Sequence, residues 1–356
     1  MNERYQNDIH NWVQDYYGNV LKNSNDLKTN ACCAVAPPKW VTGLLANVPE
    51  EVLSRFYGCG FPIPEALEGA TVVDLGCGTG RDVYLLSQVT GETGRVIGLD
   101  MTEDQLAVAR AHREWQRERL GYAESNVEFV TGYIEDLSGL GLEPGSADVV
   151  VSNCVVNLSP RKDLVLEQVH RILKEGGEFY LSDVVVDRRL PQELARDPLL
   201  YSECLGGAWY RHDFEDLAKR SGFLDPRVIS VDPITIQNEE IEAQVGAARF
   251  FSVTYRLLKL GDLEPRCEDY GQVAVYRGGI PHHETLFSLD DHHLFEAGRP
   301  ERVCGNTARM LKETRFGRYF DVIGEEAVHY GRFDCASTMA LDAYAESSGT
   351  DSGSCC

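Results

Sequence analysis

The chain has 356 residues, 43% of them hydrophobic, with 34 lysines and arginines against 56 aspartates and glutamates, a formal charge of -22. That is enough apolar material for an enzyme core of two or three domains, and a surface so acidic repels nucleic-acid phosphate and anionic lipid, so neither is expected as a partner. The stretch from Met1 to Asp15 is polar and of mixed charge, and no apolar run is long enough to span a bilayer, so a cytoplasmic location is expected.

In that compartment thiols are kept reduced, and the eleven cysteines read as ligands, redox groups or core fillers before structural disulfides. Trp12, Val13, Tyr16, Tyr17, Val20 and Leu21 recur at helical spacing, and a polar stretch follows from Asn23 to Asn30. Cys32 and Cys33 lead into Pro37-Pro38, a loop signature, and helical patterning returns from Trp40 to Tyr57.

From Thr71 the pattern alternates strand, loop and helix. Strands are expected at Thr71–Leu75, Arg95–Asp100, Val127–Val130, Ala147–Ser152 and Glu178–Asp183, with helices at Arg81–Gln88, Thr102–Leu120 and Asp163–Lys174. Apolar strands in repeated βα units predict a parallel sheet covered on both faces. Residues 187–222 are helical and turn-rich around Cys204, and strands at Arg227–Val231 and Phe250–Leu257 would finish the sheet. Beyond Gly261, strand candidates at Gln272–Tyr276 and Thr285–Leu289 and a helix near Asn306–Thr314 suggest a small α+β module. The tail from Ala345 is Ser/Gly-rich and expected to be disordered. The expected fold class is α/β, a doubly wound Rossmann-like sheet with a smaller C-terminal α+β domain. The expected divisions are 1–60, 61–186, 187–260, 261–340 and a Cys-ended tail at 341–356.

The segment Asp74-Leu75-Gly76-Cys77-Gly78-Thr79-Gly80 joins a strand to a helix, where the backbone turns tightly and approaches a ligand without a Cβ in the way. Asp100, ending the next strand, falls where a carboxylate can accept both ribose hydroxyls. A dinucleotide site prefers G-x-G-x-x-G, but here the last position is Arg81. Asp74 ahead of the loop suits a cationic amino-acid tail better than a pyrophosphate, which points to S-adenosylmethionine. Glu135 and Asp136 follow strand three, where an adenine edge would lie; the bland alternative is a solvated turn.

Open α/β sheets bind ligands outside the carboxyl ends of their strands. Cys154 comes just after strand four on that edge, Cys204 lies in a segment that can be laid over it, Cys59 sits in a glycine hinge before strand one, and Cys32 in the N-terminal loop. A lone cysteine is usually a small buried hydrophobe; together these four fit a thiolate site for a soft element, and their spacings match no zinc pattern. Cys77 reads as filler of the glycine loop, and Cys267, Cys304 and Cys335 have no evident partners. Cys355-Cys356 could capture a thiophilic ion or form a disulfide, or could be inert. His282-His283 and His292-His293, with Asp290-Asp291, resemble a metal box, although such histidines are more often simply solvated.

On the segments Leu27–Cys32, Tyr57–Phe61, Asp74–Asp82, Gly98–Met101, Gly132–Glu135, Ser152–Leu158 and Glu203–Gly207, the chain resembles the arsenite S-adenosylmethionine methyltransferases from residue 27 to about 260. The glycine loop is shared by many methyltransferases, whereas the four-cysteine set with its flanks is specific. The resemblance implies trivalent arsenic, taken free or as a thiol conjugate, bound by Cys154 and Cys204 with Cys59 as third thiolate, and a redox relay between Cys32 and Cys59. It implies cofactor contacts from Tyr57, Gly76, Gly78, Arg81, Asp100, Met101, Ile134 and Glu135. It further implies an external dithiol reductant such as thioredoxin or glutathione, a monomeric enzyme, methyl- and dimethylarsenical products, and a role in arsenic detoxification. The Cys32-Cys33 pair is a departure, and the flank Leu27–Asn30 favours Cys32 as the redox thiol. Read from the residues alone, two alternatives stand beside this: a small-molecule C- or O-methyltransferase with incidental cysteines, and a thiol protein that merely sequesters metalloids. The second has no use for Asp74, the glycine loop and Asp100.

Overall fold

The computed structural model describes residues 3–31 and 36–335. Helix α1 (Glu3–Asp15) continues into a π-helical turn at Tyr16–Val20. The expected helix from Trp40 to Tyr57 is divided into α2 (Lys39–Leu45) and α3 (Glu50–Ser54). Pro49 lies at the division, and proline disfavours helical backbone in the residue before it. Helix α3 ends at Ser54, so Tyr57 to Gly60 lie outside it.

The βα alternation follows as β1 (Thr71–Leu75), α4 (Arg81–Thr90), β2 (Arg95–Asp100), α5 (Glu103–Ala111), α6 (Arg113–Leu120), β3 (Val127–Thr131), β4 (Ala147–Asn153), α7 (Lys162–Ile172) and β5 (Leu173–Val186). The long helix expected over 102–120 is interrupted at His112, whose ring pairs with Glu51 at 3.0 Å. Short helices α8 (Gln192–Ala195) and α9 (Pro198–Ser202) carry the chain to Cys204. Then come β6 (Trp209–Tyr210), α10 (Arg211–Arg220), β7 (Arg227–Ile234), α11 (Glu239–Val245) and β8 (Phe250–Leu258). The sheet order is β3-β2-β1-β4-β5-β8-β7, with β6 beside the end of β5. β3, β2, β1, β4 and β5 are mutually parallel, and β8 runs antiparallel to both its neighbours. The sheet is therefore mixed: β8 enters between β5 and β7 against the common direction.

Apolar strands form here because both faces are covered. One face packs Val165, Leu166, Val169 and Ile172 of α7 and Phe214 and Ala218 of α10. The other packs Val83, Leu85 and Leu86 of α4 with Val41 and Val52. A third apolar cluster gathers α1, α9 and α11 over the carboxyl edge of the strands and includes Cys59, Cys154 and Cys204.

The C-terminal module contains β9 (Val273–Tyr276), β10 (Leu286–Ser288), β11 (Leu294–Glu296), β12 (Pro300–Arg302), α12 (Gly305–Lys312) and β13 (Phe320–Ile323), in a three-stranded sheet β12-β9-β13 and a hairpin β10-β11. It is fastened to the main sheet by charge. Arg256, fully buried on β8, donates to Glu178 at 2.6 Å and Glu65 at 2.5 Å, and Arg315 pairs with the same Glu178. Among the described residues, no helix is long and apolar enough to cross a membrane.

Candidate functional site

The glycine loop leaves β1 in the left-handed region, with φ of 69° at Gly76 and 52° at Gly78. Any side chain at Gly76 would collide with Val155, while a Cβ at Gly78 would meet nothing within 4 Å. One glycine permits close packing, and the other leaves the floor of a cleft bare. The loop is held by Gly76 and Cys77 N–H bonds to the Leu99 carbonyl at 2.7 and 3.0 Å, and by Gly78 N–H donating to Asp100 at 2.9 Å. The other Asp100 oxygen accepts from Thr102 N–H at 2.8 Å.

The cleft has a volume of about 910 Å³, and Tyr57, Gly76, Gly78, Arg81, Asp100, Met101, Ile134 and Glu135 all line it, as does Cys154. Its lining sets four carboxylates, Asp74, Asp82, Asp100 and Glu135, against two guanidinium groups, Arg55 and Arg81. Burial, and then the Asp82 charge, push Asp74 well above the usual carboxylate range; burial also raises Asp100. The neighbouring guanidinium, Arg81, is already engaged: it donates to Asp82 at 2.7 Å and to the Gly60 carbonyl at 2.9 Å, and lies over the Phe56 ring. A cationic ligand would restore the ionisation of Asp74, so this donor set suits an ammonium or sulfonium and opposes a pyrophosphate. Glu135 accepts from His10 at 3.1 Å and Ser159 at 2.5 Å; burial raises it, but these bonds and the His10 charge leave it lowered.

Sequence reasoning missed the far wall, which α1 supplies through His10 and Val13, with Tyr17 just beyond it. The Tyr17 ring meets the Tyr57 ring edge-on at 5.5 Å. The apolar face of α1 was legible, but not what it covers.

Three sulfurs converge beside this cleft. Cys59 and Cys154 are joined in a disulfide with a Cα separation of 5.8 Å, and the Cys204 thiol donates to the Cys154 carbonyl at 3.3 Å. Cys154 and Cys204 both hold left-handed backbone, with φ of 58° and 62°, which costs an ordinary L-residue ~1–2 kcal/mol. Such conformations persist where the surroundings over-determine them, and they cluster at functional sites.

Those surroundings are polar and buried. Asn153 grips Gly60, accepting from its N–H at 3.1 Å and donating to its carbonyl at 2.9 Å, and donates to Asp82 at 2.8 Å. Beneath Cys154, Asp183 accepts from Asn157 at 2.8 Å; burial raises Asp183 to about 7 and lowers Lys162, near Cys204, to about 8. Glu203, fully buried, accepts four hydrogen bonds: from Tyr16 hydroxyl, from Lys28 N–H at 2.7 Å, from Thr29 N–H at 2.8 Å and from Thr29 hydroxyl at 2.7 Å. This one side chain ties residues 28–29 to the residue preceding Cys204.

The Cys59–Cys154 bond, whose Cα separation falls in the ordinary bridging range, joins two of the sulfurs expected as separate arsenic ligands. Cys59 therefore has Cys154 as its partner here. Cys32 and Cys33 lie outside the described residues, but Ala31, buried, packs in the same cluster as the three sulfurs. The histidine box is divided. His282 stacks on Trp40, whereas His292 and His293 hydrogen-bond Asp291 and Asp290 at 2.7 and 2.8 Å. Cys267, Cys304 and Cys335, which had no evident partners in the sequence, bring their sulfurs within 4.8 Å of one another. The tail, Cys355-Cys356 included, lies outside the described residues.

Residues 66–222 match the family described as a methyltransferase domain, and residues 270–356 match the arsenite methyltransferase C-terminal domain. The chain is 53% identical over 350 residues to an arsenite methyltransferase of Aquipseudomonas alcaligenes, covering 98% of this chain and 100% of that one. It is 46% identical to the arsenite methyltransferase of Homo sapiens, over 88% of this chain and 84% of that one. The crystal structure of an arsenic(III) S-adenosylmethionine methyltransferase from Chlamydomonas reinhardtii superposes with a TM-score of 0.81 at 51% identity, covering 84% of this chain and 100% of that one.

Proposed function

We propose, from the premise that this chain belongs to the arsenite methyltransferase family, that its cleft and its three converging cysteines form one site for S-adenosylmethionine-dependent methylation of trivalent arsenic. S-adenosylmethionine supplies an electrophilic methyl group on a sulfonium. The observation that carries the reading is the convergence of Cys59, Cys154 and Cys204 at the rim of an electronegative cleft.

In this reading Asp74 faces the cationic end of the co-substrate, Asp100 accepts its ribose hydroxyls, and Ile134 and Glu135 border its adenine. Tyr57 offers its ring face to the sulfonium charge, worth ~1–2 kcal/mol when desolvated. Arg81, bound to Asp82 and Gly60, shapes the cleft from its wall. Cys154 and Cys204, with Cys59 once its disulfide is opened, hold arsenic as a trithiolate whose lone pair faces the cleft. No proton has to be removed, so no general base is required. The residues supply alignment at a near-attack separation on the order of 3–3.5 Å.

Receipt of a methyl cation leaves arsenic formally pentavalent. The As–S bonds to Cys59 and Cys154 then break and one S–S bond forms between these residues, so the two sulfurs return two electrons and arsenic is trivalent again; water adds to the methylarsenic left on Cys204 as hydroxide and releases a proton. The disulfide in this structure joins the same two residues, which supports such a step. Thiolate attack by Cys32 on Cys59 would free Cys154 and carry the disulfide outward, where an external dithiol of the thioredoxin or glutathione kind reduces it. Release of methylated arsenicals by such a cycle would serve arsenic detoxification.

The test is methylation of arsenite and of methylarsenite by purified variants, with products speciated. Cys154→Ser and Cys204→Ser are expected to abolish both reactions, and full activity in either overturns the pocket. Cys32→Ser is expected to spare methylarsenite more than arsenite, and equal losses would contradict the relay.

A further inference from the structure

A second set of thiols lies away from the cleft. The Cys267, Cys304 and Cys335 sulfurs all fall within 4.8 Å of one another, and none of the three residues lines the cleft. Backbone pairing assembles them from three segments. Phe333 N–H donates to the Cys267 carbonyl at 2.9 Å, and Glu268 bridges Arg332, which brings the stretch ending in Cys335 alongside Cys267. Gly305 N–H donates to the Glu268 carbonyl at 3.0 Å, which brings in Cys304. Cys304 is also the N-cap of α12, its sulfur accepting from Thr307 N–H at 3.5 Å.

The three are free thiols. Beside them stands Arg227, which opens β7 at the amino-terminal edge of the sheet, opposite the edge that carries the cleft. We propose that Cys267, Cys304 and Cys335 form a second, non-methylating site for trivalent arsenic. This rests on the reading that arsenite is the substrate, since it is that chemistry which brings the metalloid to the chain.

Two features favour trivalent arsenic over a zinc-type cation. Among the described residues, no fourth cysteine, histidine or carboxylate joins the three sulfurs, whereas structural zinc takes four ligands. Arg227, the nearby cation, is already balanced by Asp225 at 2.7 Å and Asp290 at 2.9 Å. An anionic zinc trithiolate would add uncompensated negative charge, whereas arsenous acid exchanges with three thiols to a neutral product. Three As–O bonds break, three As–S bonds form, three waters leave with the thiol protons, and the oxidation state is unchanged. The site lies on the far side of the sheet from the methyl donor, so arsenic held there is stored, not methylated.

The experiment is equilibrium dialysis of the reduced full-length chain against arsenite, with arsenic and zinc counted per chain. Cys304→Ser keeps an N-cap oxygen for Thr307 and is expected to fold. Cys335→Ser and Cys267→Ser are the companion variants. Each is expected to lose one arsenic equivalent while its methylation rate stays within about threefold of wild type. Cys204→Ser is expected to lose a different equivalent, additive with Cys304→Ser. An unchanged arsenic count in all three C-terminal variants overturns the proposal, as does one zinc per purified chain that disappears in Cys304→Ser. If Cys304→Ser loses its equivalent but Cys204→Ser loses none, the C-terminal site stands and the catalytic reading fails.

Discussion

Glu203→Gln isolates the link between the N-terminal loop and the arsenic pocket. Glu203 accepts four hydrogen bonds, two on each oxygen. A glutamine keeps one oxygen, and its amide nitrogen must face two donors. The Tyr16 or Thr29 hydroxyl can turn and accept, but a backbone N–H, that of Lys28 or Thr29, cannot. One buried N–H therefore loses its partner, at about 1–3 kcal/mol, and the surviving bonds lose the assistance of a full charge, together about 1–2 kcal/mol more. A total of ~3 kcal/mol lowers the docking equilibrium constant of the loop by about a hundredfold. Cys32 follows three residues beyond Thr29, so turnover of arsenite should fall at least about tenfold, with protease cleavage between residues 22 and 38 accelerated in parallel. Arsenite turnover at the wild-type rate together with unchanged cleavage would refute the argument.

Asp100→Ala removes the acceptor of Gly78 and Thr102 N–H and the proposed ribose partner. The Kd for S-adenosylhomocysteine should rise at least about a hundredfold, from two charge-assisted bonds at ~1.5–3 kcal/mol each, while arsenic titration is unaltered. A Kd within threefold of wild type would remove Asp100 from the site. Asp74 gives a pH signature: its carboxyl is raised above the ordinary 3.8, and a cationic ligand favours its ionised form, so binding expels a proton and affinity climbs with pH above about 4. Calorimetry in two buffers of different ionisation enthalpy should detect that proton, and its persistence in Asp74→Asn would contradict the assignment. By the same sign the ligand-free chain loses stability as pH rises over this range, because its native state binds the extra proton.

The βα alternation, the glycine loop and Asp100 were legible in the sequence because each depends on neighbours in the chain. Thr71 to Leu75, the glycines behind it and a carboxylate at the end of the next strand form one local pattern, and that pattern delimits most of the cleft. What escaped depends on pairings across long separations. The reversed direction of β8 is set by its fit between β5 and β7, which its own apolar residues do not encode. The Cys59–Cys154 bond spans 95 residues. Left-handed backbone at Cys154 and Cys204 has no sequence signature, since cysteine does not favour it and only tertiary packing enforces it. The three C-terminal thiols likewise come from separate segments, joined by backbone hydrogen bonds that no spacing rule anticipates. The division at Pro49 carried its own signal, a proline within a helical pattern.

The central claim is that the sulfurs which hold arsenic also return its electrons, and a single turnover tests it most directly. A chain with Cys32, Cys33, Cys355 and Cys356 changed to serine would be reduced, freed of reductant, and given one equivalent each of arsenite and S-adenosylmethionine. Alkylation and peptide mass analysis should then find one Cys59–Cys154 disulfide for each methyl transferred, with Cys204 still alkylated once arsenic is removed. Methyl transfer that leaves Cys59 and Cys154 both free for alkylation would contradict the account.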